Sequence, residues 1–260
     1  MTESMSARVA GTIEVLSTHR FDLEALERYM ERQVEGFRRP LTAWQFRGGQ
    51  SNPTYYLEAG DRQYVLRRKP PGKLLPSAED PDVIGTPFYV MAYVPGRVLT
   101  DPRLPGAATA ERAAVYDAAN EVLARLHTVD WQAAGLADFG RPGNYFARQI
   151  HRWTSQYRAS ETETIPAMER LIAWLPEHIP APDETTLVHG DYRLGNMIIH
   201  PTAPRVAAVL DWELSTLGHP LGDLAYHCLP FRLRHDQFEG FAGEPRPAGI
   251  PSEDEYLAAY

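Results

Sequence analysis

The sequence of 260 residues has a mass of 29.3 kDa, which fits one large domain or two small ones. Its composition is that of an ordinary globular protein, and a formal net charge of −8 argues against a general nucleic-acid-binding surface. No apolar run predicts a membrane span or a signal peptide. The single cysteine, Cys228, excludes a disulfide framework and a cysteine-based zinc site, so we expect a protein of the reducing cytoplasm.

The N-terminal part of the chain predicts one helix followed by a small sheet. Residues 1–20 are polar and are expected to form a flexible N-terminus. Apolar residues then recur every three or four positions over residues 21–37, which predicts an amphipathic helix capped by Asp22. After that helix, strands are predicted over residues 41–46, 54–58, 63–68 and 88–94.

The remainder of the chain is predicted to be mainly helical. We predict helices over residues 109–127, 144–157 and 166–175, and short strands over residues 187–188, 197–199 and 206–210. The change in pattern predicts two lobes, a β-rich one over residues 21–94 and a helical one over residues 95–260.

Residues able to carry chemistry concentrate between residues 187 and 223. Asn196 precedes one apolar strand and Asp211 follows the next, so a hairpin of the two strands would bring these side chains together. Two hard oxygen ligands at one hairpin end can hold Mg²⁺. Asp191 lies on the loop before Asn196 and can act as a base toward a hydroxyl group.

The ordered set His189-Gly190-Asp191, Asn196 and Asp211-Trp212-Glu213 resembles the aminoglycoside phosphotransferase and choline kinase family, small-molecule relatives of the protein kinases. The resemblance implies an α+β, two-lobed protein-kinase-like fold that uses ATP and Mg²⁺ as cofactors. It also implies transfer of a phosphoryl group to a hydroxyl of a small molecule, without a nucleic-acid or membrane partner.

The resemblance assigns roles residue by residue in this loop. Asp191 would be the catalytic base, while Asn196 and Asp211 would hold magnesium. Arg193 lies where kinases often place a cation near the transferred phosphoryl group. Two further residues, His189 and Asp223, would have structural roles, the first by bracing the loop.

The same resemblance extends to the β-rich lobe. A glycine-containing turn there could cradle phosphate oxygens with backbone N–H groups, although a plain hairpin turn remains the alternative. Arg67 matches the phosphate-binding lysine by register, and Lys69 lies on the same strand face. The strand over residues 88–94 would pair its backbone with adenine. The implied nucleotide-binding residues are Gly49, Ser51, Asn52, Arg67, Lys69, Met91 and Tyr93.

Two features depart from the family pattern. Only residues 70–87 separate the basic strand from the next one, too few for the usual helix with its glutamate plus a strand. We therefore expect a fold that is incomplete after the third strand and, by the same comparison, at the C-terminus. Residues 64–78 most resemble a branch of the family that is also found fused to acyl-CoA dehydrogenase domains, which favours hydroxylated acyl compounds over aminoglycosides.

Other interpretations stay open. The fold could bind a nucleotide without catalysis, or the chain could be a metal-dependent phosphoesterase, although Met197 stands where such enzymes need a histidine. Asp191 and Asp211 taken singly could merely cap turns. The sequence leaves open the phosphate acceptor and the oligomeric state. Core or surface placement, rather than catalysis, is predicted for His200, His219 and His227.

Overall fold

The structure is a computed structural model that describes residues 11–47, 53–68, 81–238 and 240–260. The chain divides into two compact units, Met1–Tyr93 and Val94–Tyr260. A sheet dominates the first unit and helices dominate the second, so the predicted α+β class is confirmed. Within the described ranges, no helix is long and apolar enough to cross a membrane.

The first unit is a five-stranded antiparallel sheet in which the strands follow one another in chain order. Its longest helix begins where predicted, because the Asp22 carboxylate accepts a hydrogen bond from the backbone N–H of Ala25 at 2.8 Å. The elements are β1 (Thr12–Ile13), a 3₁₀ helix (Ser17–His19), α1 (Leu23–Gln33), β2 (Leu41–Phe46), β3 (Thr54–Ala59), β4 (Arg62–Arg68), α2 (Pro81–Ile84) and β5 (Phe88–Ala92).

One face of this sheet forms the core of the first unit. Tyr55 and Leu57 of β3 and Leu66 of β4 are fully buried, and they belong to one cluster with Leu26 and Met30 of α1. Because strand side chains alternate, the residues between them occupy the second face. In the described part of the segment between β4 and β5, only the four-residue α2 is found.

Residues 11–20 differ from the flexible N-terminus that the sequence predicts. The hydroxyl of Tyr55 donates to the backbone oxygen of His19 at 2.7 Å, and the Gln45 amide lies 2.9 Å from His19 Nδ1. Gln45 also accepts a hydrogen bond from Leu16 N–H. The polar composition misled the prediction, since these residues are held by hydrogen bonds to the sheet. Residues 1–10 lie outside the described part.

The second unit combines helices with two short two-stranded antiparallel sheets. β6 pairs with β9, and β7 pairs with β8 in antiparallel register. The elements are α3 (Thr109–His127), α4 (Tyr145–Ser160), α5 (Pro166–Trp174), β6 (Thr186–Val188), β7 (Met197–Ile199), β8 (Val206–Val209), β9 (Thr216–Gly218), α6 (Pro220–His227), α7 (Leu229–Arg232), α8 (His235–Phe238) and α9 (Glu253–Ala259). Three 3₁₀ helices lie at Leu175–Glu177, Leu194–Asn196 and Trp212–Leu214.

The core of the second unit packs α3 and α9 around the β7–β8 hairpin. Val115 and Leu123 of α3, Met197 and Ile199 of β7 and Tyr256 of α9 are buried in one cluster. The hairpin is therefore packed into the apolar core, and the polar residues at its ends lie in the loops that carry the candidate site. Sequence patterns missed β9 and α6, both of which are short.

Candidate catalytic site

The Asp191 carboxylate is held by its neighbour in the loop between β6 and β7. The Asn196 Nδ2 atom donates to Asp191 Oδ2 at 2.7 Å and to the Asp191 backbone oxygen at 2.9 Å. Two bonds from one amide restrict both the side chain and the backbone of Asp191. Both use the amide nitrogen, so neither occupies the Asn196 oxygen.

The backbone before Asp191 is fixed by the buried carboxylate of Asp223, on α6. Asp223 is 2% exposed and accepts hydrogen bonds from the N–H groups of His189 at 2.6 Å and Gly190 at 2.7 Å. Gly190 has φ of +87°, and a Cβ there would lie 2.6 Å from the Leu214 backbone oxygen. Glycine is therefore required at this turn.

His189 links this loop to the strand end that carries Asp211. Its Nδ1 accepts a hydrogen bond from Asp191 N–H at 3.2 Å, so the proton of a neutral ring resides on Nε2. Nε2 then donates to the Leu210 backbone oxygen at 2.8 Å. The side chain is fully buried. Both ring nitrogens of His189 are thus hydrogen-bonded to the backbone of the loop and of the strand end.

The β7–β8 pairing brings Asn196 and Asp211 to the same end of one hairpin. Leu210 N–H donates to the Asn196 backbone oxygen at 2.8 Å, and Met197 is paired with Val209. Asp211 has φ of +67°, a left-handed conformation that aspartate tolerates better than most residues. Asn196 and Asp211 therefore lie at the same end of the hairpin. No cluster of three or more His, Cys, Asp or Glu side chains suited to a metal occurs within the described ranges.

Two further side chains contact Asp191. Arg193 Nε lies 3.5 Å from Asp191 Oδ1, and the arginine side chain is 46% exposed. Tyr226 of α6 hydrogen-bonds Asp191, and burial together with this bond raises the pKa of Tyr226 to about 12. Sequence reasoning missed Tyr226. Its signal was helical spacing, because it follows Asp223 by three residues and shares a face of α6 with it.

The two arginines at the end of β4 occupy opposite faces of the sheet. Arg68 donates to the backbone oxygens of His19 at 3.0 Å and Arg20 at 3.2 Å, and it lies 5.2 Å from the Tyr55 ring centroid. Arg68 therefore holds the N-terminal segment. Because successive side chains of a strand point to opposite faces of the sheet, Arg67 lies on the second face.

The second face of the sheet is lined by aromatic side chains. Tyr56 packs against Tyr93 with ring centroids 5.1 Å apart, and against Trp44 at 5.7 Å. Met91, paired with Val65, is 38% exposed there. Three of the implied nucleotide-binding residues lie in the described part of this unit: Arg67 on β4, Met91 on β5 and Tyr93 just after β5. The other four, Gly49, Ser51, Asn52 and Lys69, lie outside the described residues.

Comparison with known proteins decides the family. A model of the phosphotransferase enzyme family matches residues 73–256, which is more than half of the chain. The chain belongs to that family. The resemblance drawn from the Asp191 loop is therefore confirmed.

Solved structures with this fold include several phosphotransferases. A protein from Ralstonia eutropha JMP134, assigned provisionally as an aminoglycoside phosphotransferase, is 53% identical, with a TM-score of 0.82 over 93% of this chain and 80% of that one. A ternary complex of an aminoglycoside 2″-phosphotransferase with streptomycin and ATP gives a TM-score of 0.56 at 18% identity, over 93% and 84% of the two chains. The second likeness shows the fold alone, and together they confirm the kinase-like architecture.

Similar sequences occur within longer proteins. Mouse acyl-CoA dehydrogenase family member 10 is 46% identical over 97% of this chain, and mouse family member 11 is 42% identical over 96%. The chain spans 26% of the first relative and 37% of the second. This finding confirms the predicted resemblance to the branch fused to acyl-CoA dehydrogenase domains.

Proposed function

We propose that this chain uses ATP and Mg²⁺ to phosphorylate a hydroxyl group of a small molecule. The observation that supports this proposal most strongly is the geometry around the Asp191 carboxylate. Asn196 orients this carboxylate, and the loop that carries both residues meets the hairpin at the same end as Asp211. Membership of the phosphotransferase enzyme family supports the reaction type. A carboxylate held in this way has the chemistry of a general base for a hydroxyl nucleophile.

In this proposal Asp191 accepts the proton of the attacking hydroxyl group. The hydrogen bonds from Asn196 and Tyr226 fix where the carboxylate oxygens lie, which lowers the entropic cost of aligning the nucleophile. Arg193 is within reach of Asp191 and partly exposed, so its guanidinium can offset negative charge on the transferring phosphoryl group.

The residues at the hairpin end fit a magnesium ion. The Asn196 amide oxygen and the Asp211 carboxylate are hard oxygen donors, which Mg²⁺ prefers. Two protein ligands suffice, because Mg²⁺ keeps several waters and also binds substrate phosphates. An ion held by these two residues would supply positive charge that offsets the negative charge of the ATP phosphates during transfer.

The first unit is proposed to bind the nucleotide through its second sheet face. Arg67 would contact phosphate oxygens, and the backbone around Met91 and Tyr93 would pair with adenine. This assignment rests on the family resemblance and on the face that alternation gives Arg67. The same proposal includes the residues of the glycine-containing turn and the strand end, namely Gly49, Ser51, Asn52 and Lys69.

The test is direct detection of a phosphorylated product. The protein is incubated with Mg²⁺-ATP and a panel of hydroxylated acyl compounds, sugars, choline and aminoglycosides, and products are followed by ³¹P NMR. We expect one class to gain a phosphoester signal, and Asp191→Asn to abolish it. Asp138→Asn, at an exposed position, is the matched control and keeps full transfer.

Two outcomes count against the proposal. Phosphoester formation by Asp191→Asn at the wild-type rate contradicts the assignment of the base. ATP binding without a product from any acceptor favours a nucleotide-binding module that keeps the fold without catalysis.

A further inference from the structure

A cavity of about 280 Å³ lies beside the catalytic loop, entirely within the second unit. Arg193 and Tyr226, which both contact Asp191, are among the residues that line it. One end of the cavity is therefore next to the proposed base. At about 30 Å³ per water molecule, this volume has room for roughly ten non-hydrogen atoms of a ligand.

Most of the cavity wall is apolar. Pro102, Tyr116, Leu194, Pro230 and Phe231 line it. The Tyr116 hydroxyl is already engaged, because it donates to the Pro102 backbone oxygen at 2.7 Å. The part of a ligand that enters the cavity would therefore be held mainly by the removal of apolar surface from water.

The residues that line the cavity carry positive charge only. Within the described ranges, none of them is Asp or Glu, and Arg193 is a cation. His227 also lines the cavity, and its imidazole is neutral at ordinary pH because burial lowers its pKa to about 4. The wall thus provides no anion to which a positively charged ligand could bind.

Two carboxylates next to this wall are already paired with arginines. Asp101 directly follows the lining residue Thr100, and its Oδ2 atom lies 2.8 Å from Arg103 Nη2. Its Oδ1 atom accepts a second hydrogen bond from Arg103 Nε at 3.0 Å. Asp191 Oδ1 lies 3.5 Å from Arg193 Nε. A cationic group on a ligand would have to compete with these arginines for either carboxylate.

An ammonium group on the acceptor would meet two penalties in this cavity. Moving it from water to an apolar wall costs free energy unless an anion pairs with it. The guanidinium of Arg193 also repels a like charge. An alcohol with hydrocarbon next to its hydroxyl group avoids both penalties.

We propose that this cavity binds the part of the phosphate acceptor next to the reacting hydroxyl group, and that it selects a mainly apolar alcohol over one that carries an ammonium group there. The hydroxyl lies at the Asp191 end, and hydrocarbon fills the rest of the cavity. The acceptor is then neither an aminoglycoside nor choline. This inference rests on the proposed function, and it names the substrate class of that site.

The experiment compares three alcohols that have the same number of non-hydrogen atoms. 1-Heptanol ends in a methyl group, 1,6-hexanediol in a hydroxyl group and 6-aminohexan-1-ol in a protonated amine. Each is titrated into the full chain without nucleotide, and its dissociation constant is measured by saturation-transfer difference NMR. We expect 1-heptanol to bind at least about tenfold more tightly than 6-aminohexan-1-ol, with the diol between them.

Two variants of Thr100 test whether charge at this wall sets the preference. Thr100 is exposed, so either a glutamate or a glutamine fits there, and thermal melting curves check that both variants are folded. Thr100→Glu adds a carboxylate to the wall and should bind 6-aminohexan-1-ol about threefold more tightly than Thr100→Gln does. Thr100→Gln has the same size without the charge, and it should keep the wild-type preference.

Four results would overturn the inference. The first is wild-type binding of 6-aminohexan-1-ol as tight as that of 1-heptanol, and the second is binding of the diol as weak as that of the amine. The third is equal affinity of Thr100→Glu and Thr100→Gln for the amine. The fourth is a wild-type protein that binds none of the three alcohols.

Failure of this inference can be told apart from failure of the proposed function. Binding of these alcohols requires neither ATP nor the Asp191 base, so Asp191→Asn should keep the preference for 1-heptanol. A protein that phosphorylates an aminoglycoside or choline keeps the proposed function and loses this inference. A protein that shows the preference but phosphorylates no alcohol counts against the proposed function, while the charge selectivity of the cavity is retained.

Discussion

The catalytic loop of the second unit and the sheet of the first unit are held by different forces. Asp223, His189 and Asn196 fix the loop through hydrogen bonds from buried polar groups. The sheet is held mainly by apolar packing of β3 and β4 against α1. An irregular loop has no repeating ladder of backbone bonds, so side chains must satisfy its N–H groups. The polar residues of such a loop therefore both fix its conformation and supply its functional groups.

Removing the Asp223 carboxylate should have the largest effect. Asp223→Ala leaves the buried N–H groups of His189 and Gly190 without an acceptor, and we expect the free energy of unfolding to fall by roughly 2–5 kcal/mol. Urea denaturation measures this change, with Asp138→Ala as an exposed control that stays within about 0.5 kcal/mol. If Asp223→Ala lowered the free energy of unfolding as little as the control does, the claim that buried hydrogen bonds hold the loop would be contradicted.

The two arginines at the C-terminal end of β4, Arg67 and Arg68, offer a matched pair in the first unit. Arg68→Ala should lower the free energy of unfolding by about 2 kcal/mol, because Arg68 bonds two backbone oxygens and lies over aromatic rings. Arg67→Ala should instead weaken ATP binding about tenfold, as expected for a lost charged hydrogen bond, with a smaller effect on stability. Denaturation and ATP titration of both variants check this. Weaker ATP binding in Arg68→Ala alone would reverse the assignment of the faces.

Acid should weaken the second unit through His227. Its pKa is about 4 in the folded protein and about 6.5 when unfolded, so at pH 5 only the unfolded state binds the proton. Stability should therefore fall by about 2 kcal/mol from this group between pH 7 and pH 5. His227→Gln lacks a titrating ring and should show a correspondingly smaller fall in urea denaturation at the two pH values. Identical pH dependence in both proteins would contradict the buried, neutral imidazole.

The smallest effect is expected at Tyr226. Tyr226→Phe removes the hydrogen bond to Asp191 and keeps the ring, so we expect kcat to drop about three- to tenfold, equivalent to about 1 kcal/mol. The KM for ATP should change little, because the tyrosine is not among the proposed nucleotide contacts. Steady-state kinetics with the identified acceptor measure both values. An unchanged kcat would show that Asn196 alone orients the carboxylate.

The sequence predicted the elements near the loop well, for local reasons. The strand Met197–Ile199 and the hairpin that places Asn196 and Asp211 at one end follow from short, continuous apolar runs with polar ends. Asp22 also caps α1, as its residue type and position predict. Each of these signals lies within a few residues of the feature that it predicts.

Contacts between distant parts of the chain could not be predicted in this way. Asp223 meets His189 N–H across 34 residues, and His127 approaches the same carboxylate from α3. The packing of His19 on Tyr55 and Arg68 is another such contact, and it is why residues 11–20 are more ordered than their polar composition indicates. Tertiary packing determines these pairings, and the periodicity of a single sequence does not predict them.

The most direct test of the central claim is the rate of the chemical step in Asp191→Asn. A single-turnover experiment with γ-labelled ATP, Mg²⁺ and the acceptor identified by NMR isolates phosphoryl transfer from product release. If Asp191 is the base, the variant binds ATP normally and transfers the label about 10²- to 10⁴-fold more slowly than the wild-type protein. A single-turnover rate equal to that of the wild-type protein would contradict the role of Asp191.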